Sequence, residues 1–413
     1  MKPTLFGYGL TTKAIARKLG GGCTFFDDKC QEPYIDEQGN NIFPSSMFDP
    51  EKSELEVTTP SLKPDHPLLK KAKHLLSEYD YFLGQSHEAV GTQHPTEAKK
   101  PFTIWISGTN GKTTTTQMLT HLLEKKGALS GGNIGTPLAD LDTNAPIWVL
   151  ESSSYTLHHT HTASPDIYLL LPITPDHLDW HGTAEQYEAD KLRPLLTMKE
   201  GELALVPKGL NLPKTDAYVV EYDSDAFLCD YFTLDASKLN YKGAFLQDAL
   251  LALAITKVLF DETDYALLND FKRDAHRQEE LKDSKGRLWV NDSKATNLDA
   301  TLQAVKGYAD KHIHLILGGD DKGVDLNPLF AVMQPLNLTL YTIGANNQRL
   351  LELAKNYDIE AVGSETLEKA IKYIDKALDV DSVALLSPAA ASFDQFTSYK
   401  HRGESFMDLV KKL

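Results

Sequence analysis

A chain of 413 residues is too long for one compact core and points to two or three domains, and a hydrophobic content of 41% excludes wholesale disorder. The 42 Lys and Arg against 58 Asp and Glu leave a net charge of −16, which argues against a broad nucleic-acid or anionic-membrane surface but leaves room for a local basic pocket. No apolar run approaches a membrane span, the N-terminus lacks a secretory pattern, and Cys23, Cys30 and Cys229 fit neither a Cys-x-x-Cys nor a zinc spacing. A cytoplasmic protein with reduced thiols is expected.

In chain order, Leu5 to Thr12 reads as a short strand, a glycine turn (Gly7, Gly9) and the start of a helix carrying Ala14, Ile15, Ala16 and Leu19. Cys23 to Asp28 reads as a second strand ending in acids, as in the first half of a nucleotide-binding βαβ unit, although Thr12 stands where a third glycine would be. On these residues a structural turn and a ligand site are equally good readings. Glu54 to Pro60 is a further strand, and the polar stretch 84–101 with Gly91, Pro95 and Pro101 reads as a linker.

Next, Ile104-Trp-Ile-Ser-Gly-Thr-Asn-Gly-Lys-Thr-Thr-Thr115 runs from an apolar strand through a glycine turn into a helical pattern (Met118, Leu119, Leu122, Leu123) stopped by Gly127. The order suits a polyphosphate. Glycines let backbone N–H groups close on phosphate oxygens, a helix N-terminus adds positive charge, a lysine neutralises the terminal phosphates and the next hydroxyl can ligate Mg²⁺. The full P-loop pattern asks for a glycine where Ile106 stands, and a plain strand–turn–helix corner with a solvated lysine is the alternative.

Further strands are expected at 102–106, 147–150, 167–171, 203–206 and 217–221, with a core helix from Leu246 to Phe260. Glu151 falls just past one strand, at the edge where open α/β sheets bind ligands, and could hold Mg²⁺. Asp176, His177, Asp179 and His181 follow another, with His177 the best-placed metal ligand; His158, His159 and His161 are not read as ligands, and Lys191 by composition alone is an exposed helix lysine. After a boundary near 275–277, strands at 288–292, 312–317, 339–343 and 383–386 alternate with helices near 298–308, 347–355, 366–377 and a closing helix. Polar turns at 291–297, 318–323 and 387–392 each end a strand, which suggests one shared site facing the P-loop. The alternation implies three α/β domains with mostly parallel sheets, at 1–98, 99–277 and 278–413, the middle one carrying the P-loop.

These residues resemble the Mur ligases. Gly108-Thr-Asn-Gly-Lys-Thr-Thr-Thr115 matches that family's shortened P-loop. Gly131-Gly-Asn-Ile-Gly-Thr-Pro137, Glu151-Ser-Ser-Ser-Tyr155, Asp176-His-Leu-Asp179, His276-Arg277, Asn291-Asp-Ser-Lys-Ala-Thr-Asn297, Gly318-Gly-Asp-Asp-Lys322 and Ser387-Pro-Ala-Ala-Ala-Ser-Phe-Asp-Gln-Phe396 follow in order. The 291–297 string and the C-terminus resemble the branch that adds D-glutamate. The resemblance implies an α/β fold of three domains, a Rossmann-like N-terminal domain for UDP, a P-loop central ATPase domain and a Rossmann-like C-terminal domain for the amino acid. It implies an ATP-dependent ligase that activates the carboxylate of UDP-N-acetylmuramoyl-L-alanine as an acyl phosphate for attack by D-glutamate, with ATP as co-substrate, two Mg²⁺ sites and a monomeric chain.

By position it implies that Gly108, Thr109, Asn110, Gly111, Lys112, Thr113 and Thr114 hold ATP, with Arg277, Asp292 and Lys294 from the last domain. Lys112, Glu151, His177 and Lys191 would be catalytic. Thr113, Glu151, His177 and a carbamylated Lys191 would be the metal ligands. Leu10, Thr11, Asp27 and Asp28 would meet the uridine end, Asn133 and Ser153 the muramoyl group, and Thr296, Lys322, Ser392 and Tyr399 D-glutamate. The chain departs from the family pattern at Thr156, at Ala244, Phe245 and Asp248 near the adenine, and at Lys29 and Ser61. A sibling ligase and a non-catalytic P-loop module are the competing readings.

Overall fold

The computed structural model describes residues 2–84, 100–321 and 323–413, so most of the expected linker and Lys322 lie outside the described residues. By contacts the chain divides into two compact units, Met1–Asn240 with Phe245–Asp270, and Tyr241–Ala244 with Phe271–Leu413.

The first unit holds two sheets. One comprises β1 (Thr4–Phe6), β2 (Thr24–Asp27), β3 (Tyr34–Ile35), β4 (Asn41–Pro44), β5 (Glu56–Thr58) and β6 (Leu75–Leu76) in the order β3-β4-β2-β1-β5-β6, parallel except for β3–β4. The other comprises β7 (Phe102–Ser107), β8 (Ala128–Gly132), β9 (Ile147–Glu151), β10 (Ile167–Leu170), β11 (Leu203–Pro207) and β12 (Tyr218–Tyr222) in the order β12-β11-β10-β7-β9-β8, wholly parallel. The continuous apolar runs of β7, β9 and β10 reflect burial on both faces, as a parallel sheet between helices requires.

The two sheets share one hydrophobic core. Leu5, Phe25 and Val57 of the first and Trp105, Trp148 and Tyr168 of the second belong to a single buried cluster. The helix Glu78–Leu83 joins them and is buried at every position. Its Tyr79 ring stands edge-on to Trp105 at 4.7 Å, and its Asp80 accepts from the backbone N–H of His161 (2.9 Å), Thr162 (2.7 Å) and Ala163 (2.8 Å) and from the Thr162 hydroxyl (3.0 Å). A buried carboxylate is tolerable because these donors replace its water. At the outer edge Arg17 pairs with Asp140 at 2.8 Å.

The second unit carries β13 (Glu279–Lys282), β14 (Leu288–Asn291), β15 (Ile313–Gly318), β16 (Leu338–Ile343), β17 (Glu360–Glu365) and β18 (Val383–Leu386), ordered β13-β14-β18-β15-β16-β17, with only β13 antiparallel. Alternate residues serve opposite faces. Leu315, Leu317, Leu340 and Leu385 pack on one side, and Ile316, Tyr341, Ala384 and Leu386 on the other with Phe406 of the closing helix. Every strand read from sequence is present, with ends moved by a residue or two. The strands not anticipated are short (β3, β6, and β4 between Asn41 and Pro44), glycine-rich (β8) or at exposed sheet edges (β13, β17), where the apolar pattern fades. Cys23, Cys30 and Cys229 are free thiols, as expected.

Replacing Asp80 by Ala removes the acceptor of three backbone N–H groups, that of Ala163 buried, and should lower unfolding stability by about 3 kcal/mol, read by urea denaturation. Burial, with His158 beside it, pushes His159 down to about 4, and burial with His312 does the same to His314. Both imidazoles are held neutral, so below the ordinary histidine value the unfolded chain binds protons that the fold rejects. Thermal stability should therefore fall as pH drops from about 6.5 to about 4, and a His314→Gln variant should show a shallower fall.

Candidate active site

The chain leaves β7 for β8 and β9 on one side and then crosses to β10 on the other, so the strand order reverses at β7. The crevice beyond the carboxyl ends of such strands is where open α/β sheets bind ligands. Here β7 runs into the glycine loop. Gly108 (φ +138°) passes so close to β10 that a Cβ would stand 2.5 Å from the Leu171 Cβ, and at Gly111 (φ +80°) a Cβ would stand 2.6 Å from Asp248 Oδ1. Gly111 then caps the helix Lys112–Leu123 and, as a glycine, supplies no side-chain cap. An uncapped helix start between glycines is an anion site in the making. Lys112 folds back over the loop, its Nζ donating to Gly108 O (2.8 Å) and Thr109 O (2.7 Å). Thr109 is buried and holds the loop to the end of β10, its hydroxyl donating to Thr174 O at 2.8 Å and meeting the Tyr187 hydroxyl at 3.0 Å. Thr113 and Thr114 fall in the first turn of the same helix, and Asn110 in the turn before it.

Glu151 ends β9 in register with Ile106 of β7, which sets it beside the loop. It is 3% exposed, Oε1 accepts from Asn133 Nδ2 at 2.7 Å, and Oε2 is buried with no hydrogen-bond partner among the described residues. Asn133, read from sequence as a substrate contact, thus orients Glu151. Tyr79 reaches over from the first sheet, its hydroxyl donating to Glu151 O at 3.2 Å. Ser153 caps the helix Ser154–His158 through Thr156 N.

His177 caps the helix Leu178–His181 in left-handed backbone (φ +54°) and is exposed, and burial of part of its ring lowers its pKa. Lys191 overturns the composition reading of an exposed helix lysine. It is 1% exposed on the inner face of the helix Ala184–Leu192, and Nζ donates to Gly108 O at 2.8 Å. Burial, then Lys112, drives its pKa well below the ordinary lysine value, and no carboxylate pairs with it among the described residues. The reason is tertiary: Tyr187 lies 4.8 Å from Nζ and Ser107 Oγ 3.4 Å, both on the inner side of the helix.

In the first sheet a cavity of about 350 Å³ opens at Gly7–Gly9, Asp27–Cys30, Tyr34, Thr59 and Ser61. Leu10, 61% exposed, and Thr11 begin the helix Leu10–Lys18 beside those glycines. Asp27 is committed to the backbone, accepting from Tyr8 N at 2.7 Å and Lys29 N at 2.8 Å, while Asp28 bonds Ser45 and, at 2.9 Å, His66.

In the second unit the three polar turns do meet one another. Asp292 N donates to Leu386 O (2.8 Å), Ser387 Oγ donates to Asp292 Oδ2 (2.8 Å), and Asp320 bridges to Ala391. Burial pushes Asp292 up to about 7. Arg402, which the sequence did not single out, is fully buried and ties two of the turns together by donating to Ser293 O (2.9 Å) and Ala390 O (3.1 Å). Arg277 is presented between two residues in left-handed backbone, His276 (φ +67°) and Gln278 (φ +45°). Lys294 lies over the Tyr399 ring at 4.2 Å, Thr296 is exposed and Ser392 is 2% exposed. Tyr79, Tyr187 and Arg402 carry no spacing signal, because their partners Glu151, Thr109 and Ser293 lie 72, 78 and 109 residues away in the chain.

Comparison with known proteins agrees with this geometry. Residues 106–226 match the Mur ligase middle domain. The chain is 48% identical over 416 residues to the UDP-N-acetylmuramoylalanine--D-glutamate ligase of Campylobacter jejuni subsp. jejuni, and 44% identical over 430 residues to that of Helicobacter pylori, each over 100% of both proteins. The fold is similar to that of the MurF ligase of Thermotoga maritima in complex with ADP (TM-score 0.59, 15% identity, 95% of this chain and 94% of that one). A pseudomurein peptide ligase type C of Methanothermus fervidus is also similar (TM-score 0.55, 15% identity, 99% and 100%). With close relatives matched from end to end, the chain belongs to the Mur ligase family, the ATP-dependent ligases of peptidoglycan precursor synthesis.

Proposed function

We propose that the chain joins D-glutamate to UDP-N-acetylmuramoyl-L-alanine with hydrolysis of ATP to ADP and phosphate, as a cytoplasmic monomer whose three sheets mark a UDP domain, an ATPase domain and an amino-acid domain. The observation that carries the reading is the glycine loop with Lys112 folded over it beside Glu151, whose buried Oε2 has no hydrogen-bond partner among the described residues. The names of the end-to-end relatives support the choice of substrates.

In this reading Gly108 to Thr114 cradle the nucleotide phosphates, and Lys112 with the helix N-terminus takes up charge on the transferred phosphoryl group. A carboxylate oxygen of the substrate bonds to the γ-phosphorus as the bond to ADP breaks. The amine of D-glutamate then bonds to the acyl carbon, and phosphate leaves with the electrons of the C–O bond. Thr113 and Glu151 suit one Mg²⁺: an unpartnered buried carboxylate oxygen beside a P-loop hydroxyl is a hard-cation donor set. His177 and Lys191 suit a second if Lys191 is a carbamate, since an ammonium would repel the metal. Bound there, the cations would offset the negative charge crowded between carboxylate and phosphates.

Lys191 is set up for that modification. A buried amine with a depressed pKa is the neutral nucleophile that bonds to CO₂, one electron pair moving to oxygen and one N–H proton leaving to water. Arg277, Asp292 and Lys294 are assigned to the nucleotide, Thr296, Lys322, Ser392 and Tyr399 to D-glutamate, Asn133 and Ser153 to the muramoyl group, and Leu10, Thr11, Asp27 and Asp28 to the uridine end. Because the side chains of Asp27 and Asp28 are already hydrogen-bonded, their part at the cavity is to shape it and to leave backbone groups facing the ligand.

With Mg²⁺, ATP and UDP-N-acetylmuramoyl-L-alanine, ADP should be released on adding D-glutamate, and not with L-glutamate, L-alanine or meso-diaminopimelate. Release with another of these would move the chain to a sibling ligase, and release with none would refute catalysis. Lys191→Ala should cut the D-glutamate-dependent rate by roughly 10²-fold or more, the scale of losing one preorganised electrostatic partner, with partial rescue by a short carboxylic acid. An unchanged rate would refute the role given to Lys191.

A further inference from the structure

One buried carboxylate is unused in the reading above. Asp190 is 0% exposed, and its two oxygens are shared by four side chains. His158 Nδ1 lies 2.9 Å from each oxygen and His181 Nδ1 lies 2.7 Å from Oδ2. Gln186 Nε2 donates at 2.9 Å and the Arg193 guanidinium lies 3.4 Å away. The outer nitrogen of His181 meets Ser154 Oγ at 3.0 Å. A carboxylate can only accept, so both imidazoles present Nδ1–H to it.

What matters is where these partners come from. His158 ends the helix Ser154–His158, which follows Glu151 directly. His181 ends the helix Leu178–His181, whose cap is His177. Asp190 itself precedes Lys191 on the helix Ala184–Leu192. Three segments, each bearing one of the residues assigned to the cations, are hydrogen-bonded to the same carboxylate.

The two histidines and Asp190 also stand close enough together to hold a metal ion themselves. That reading fails on the hydrogen bonds. Both Nδ1 atoms already have Asp190 as partner at 2.7–2.9 Å, and the Arg193 cation occupies the remaining side of the carboxylate. A cation would have to break these bonds and sit beside a guanidinium. The cluster is a closed hydrogen-bond set.

We infer that Asp190 is a positioning residue that clamps the segments carrying His177 and Lys191, the pair assigned to the second cation, against the helix that follows Glu151. The inference rests on the two-cation reading above. Burying a carboxylate costs several kcal/mol unless every lone pair is met, so the clamp holds one arrangement of the three segments and resists sliding. Removing its charge would leave two imidazole N–H groups aimed at a weaker acceptor and free the helix that carries Lys191.

The test is Mn²⁺ binding to the full chain with ADP and bicarbonate present, followed by the free Mn²⁺ electron paramagnetic resonance signal, beside thermal unfolding of the same proteins. The unaltered chain should bind two Mn²⁺. Asp190→Asn should weaken one of the two roughly 10–100-fold, the usual cost of losing a residue that supports a metal ligand, and leave the other in place. His158→Gln, at the rim of the cluster, should do the same to a smaller degree and serves if Asp190→Asn does not fold. A lowered unfolding temperature with both Mn²⁺ affinities kept would make Asp190 structural only and overturn the inference. A single Mn²⁺ in the unaltered chain would instead overturn the two-cation reading, and the clamp with it.

Discussion

The hydrogen bond from Lys191 Nζ to Gly108 O, 2.8 Å long and closed to solvent, is the interaction on which the central site depends. It joins the helix Ala184–Leu192 to the glycine loop at the Gly108 carbonyl. A buried ammonium is costly, and this one is met by a carbonyl, a hydroxyl and an aromatic ring rather than by a carboxylate. Such a group gains by losing its charge. Burial therefore favours the neutral amine at Lys191, the form from which the carbamate proposed above would be made.

Around that bond the central sheet behaves as a rigid rim. Thr109 is locked to Thr174, Asn133 orients Glu151, and Tyr79 binds the Glu151 carbonyl from the helix that joins the two sheets of the first unit. Asp80, one residue on, captures the loop at 161–163. The two sheets of the first unit are thus coupled by buried polar contacts embedded in one apolar core, where the low dielectric makes each contact expensive to break. The second unit repeats the principle with a cation, since Arg402 holds the turns after β14 and β18 by their carbonyls.

Much of this was legible in the residues. The strand–glycine–lysine–helix order, the acid after β9, the turns after β14, β15 and β18 and the parallel α/β class all follow from local pattern, because strand period, helix period and glycine turns act over a few residues. The matching strings of the Mur ligases extended this to an assignment of site residues. The local pattern missed β8, whose Gly131 and Gly132 look like a turn, and it set Lys191 in solvent. It also gave no hint of Asp190, whose partners His158 and Gln186 lie 32 and 4 residues away in the chain.

The sequence by itself determined the elements, their order and the chemical inventory of the site, since each of these depends on neighbours along the chain. Only the tertiary structure decided which polar groups are buried and what they face. Lys191 lost its water because the loop and Tyr187 closed over it, Glu151 kept an unpaired oxygen because Asn133 takes only one, and Asp27 spends its charge on backbone N–H groups. Solvation is set by every segment packed around a group, so it can be read only after the chain has folded.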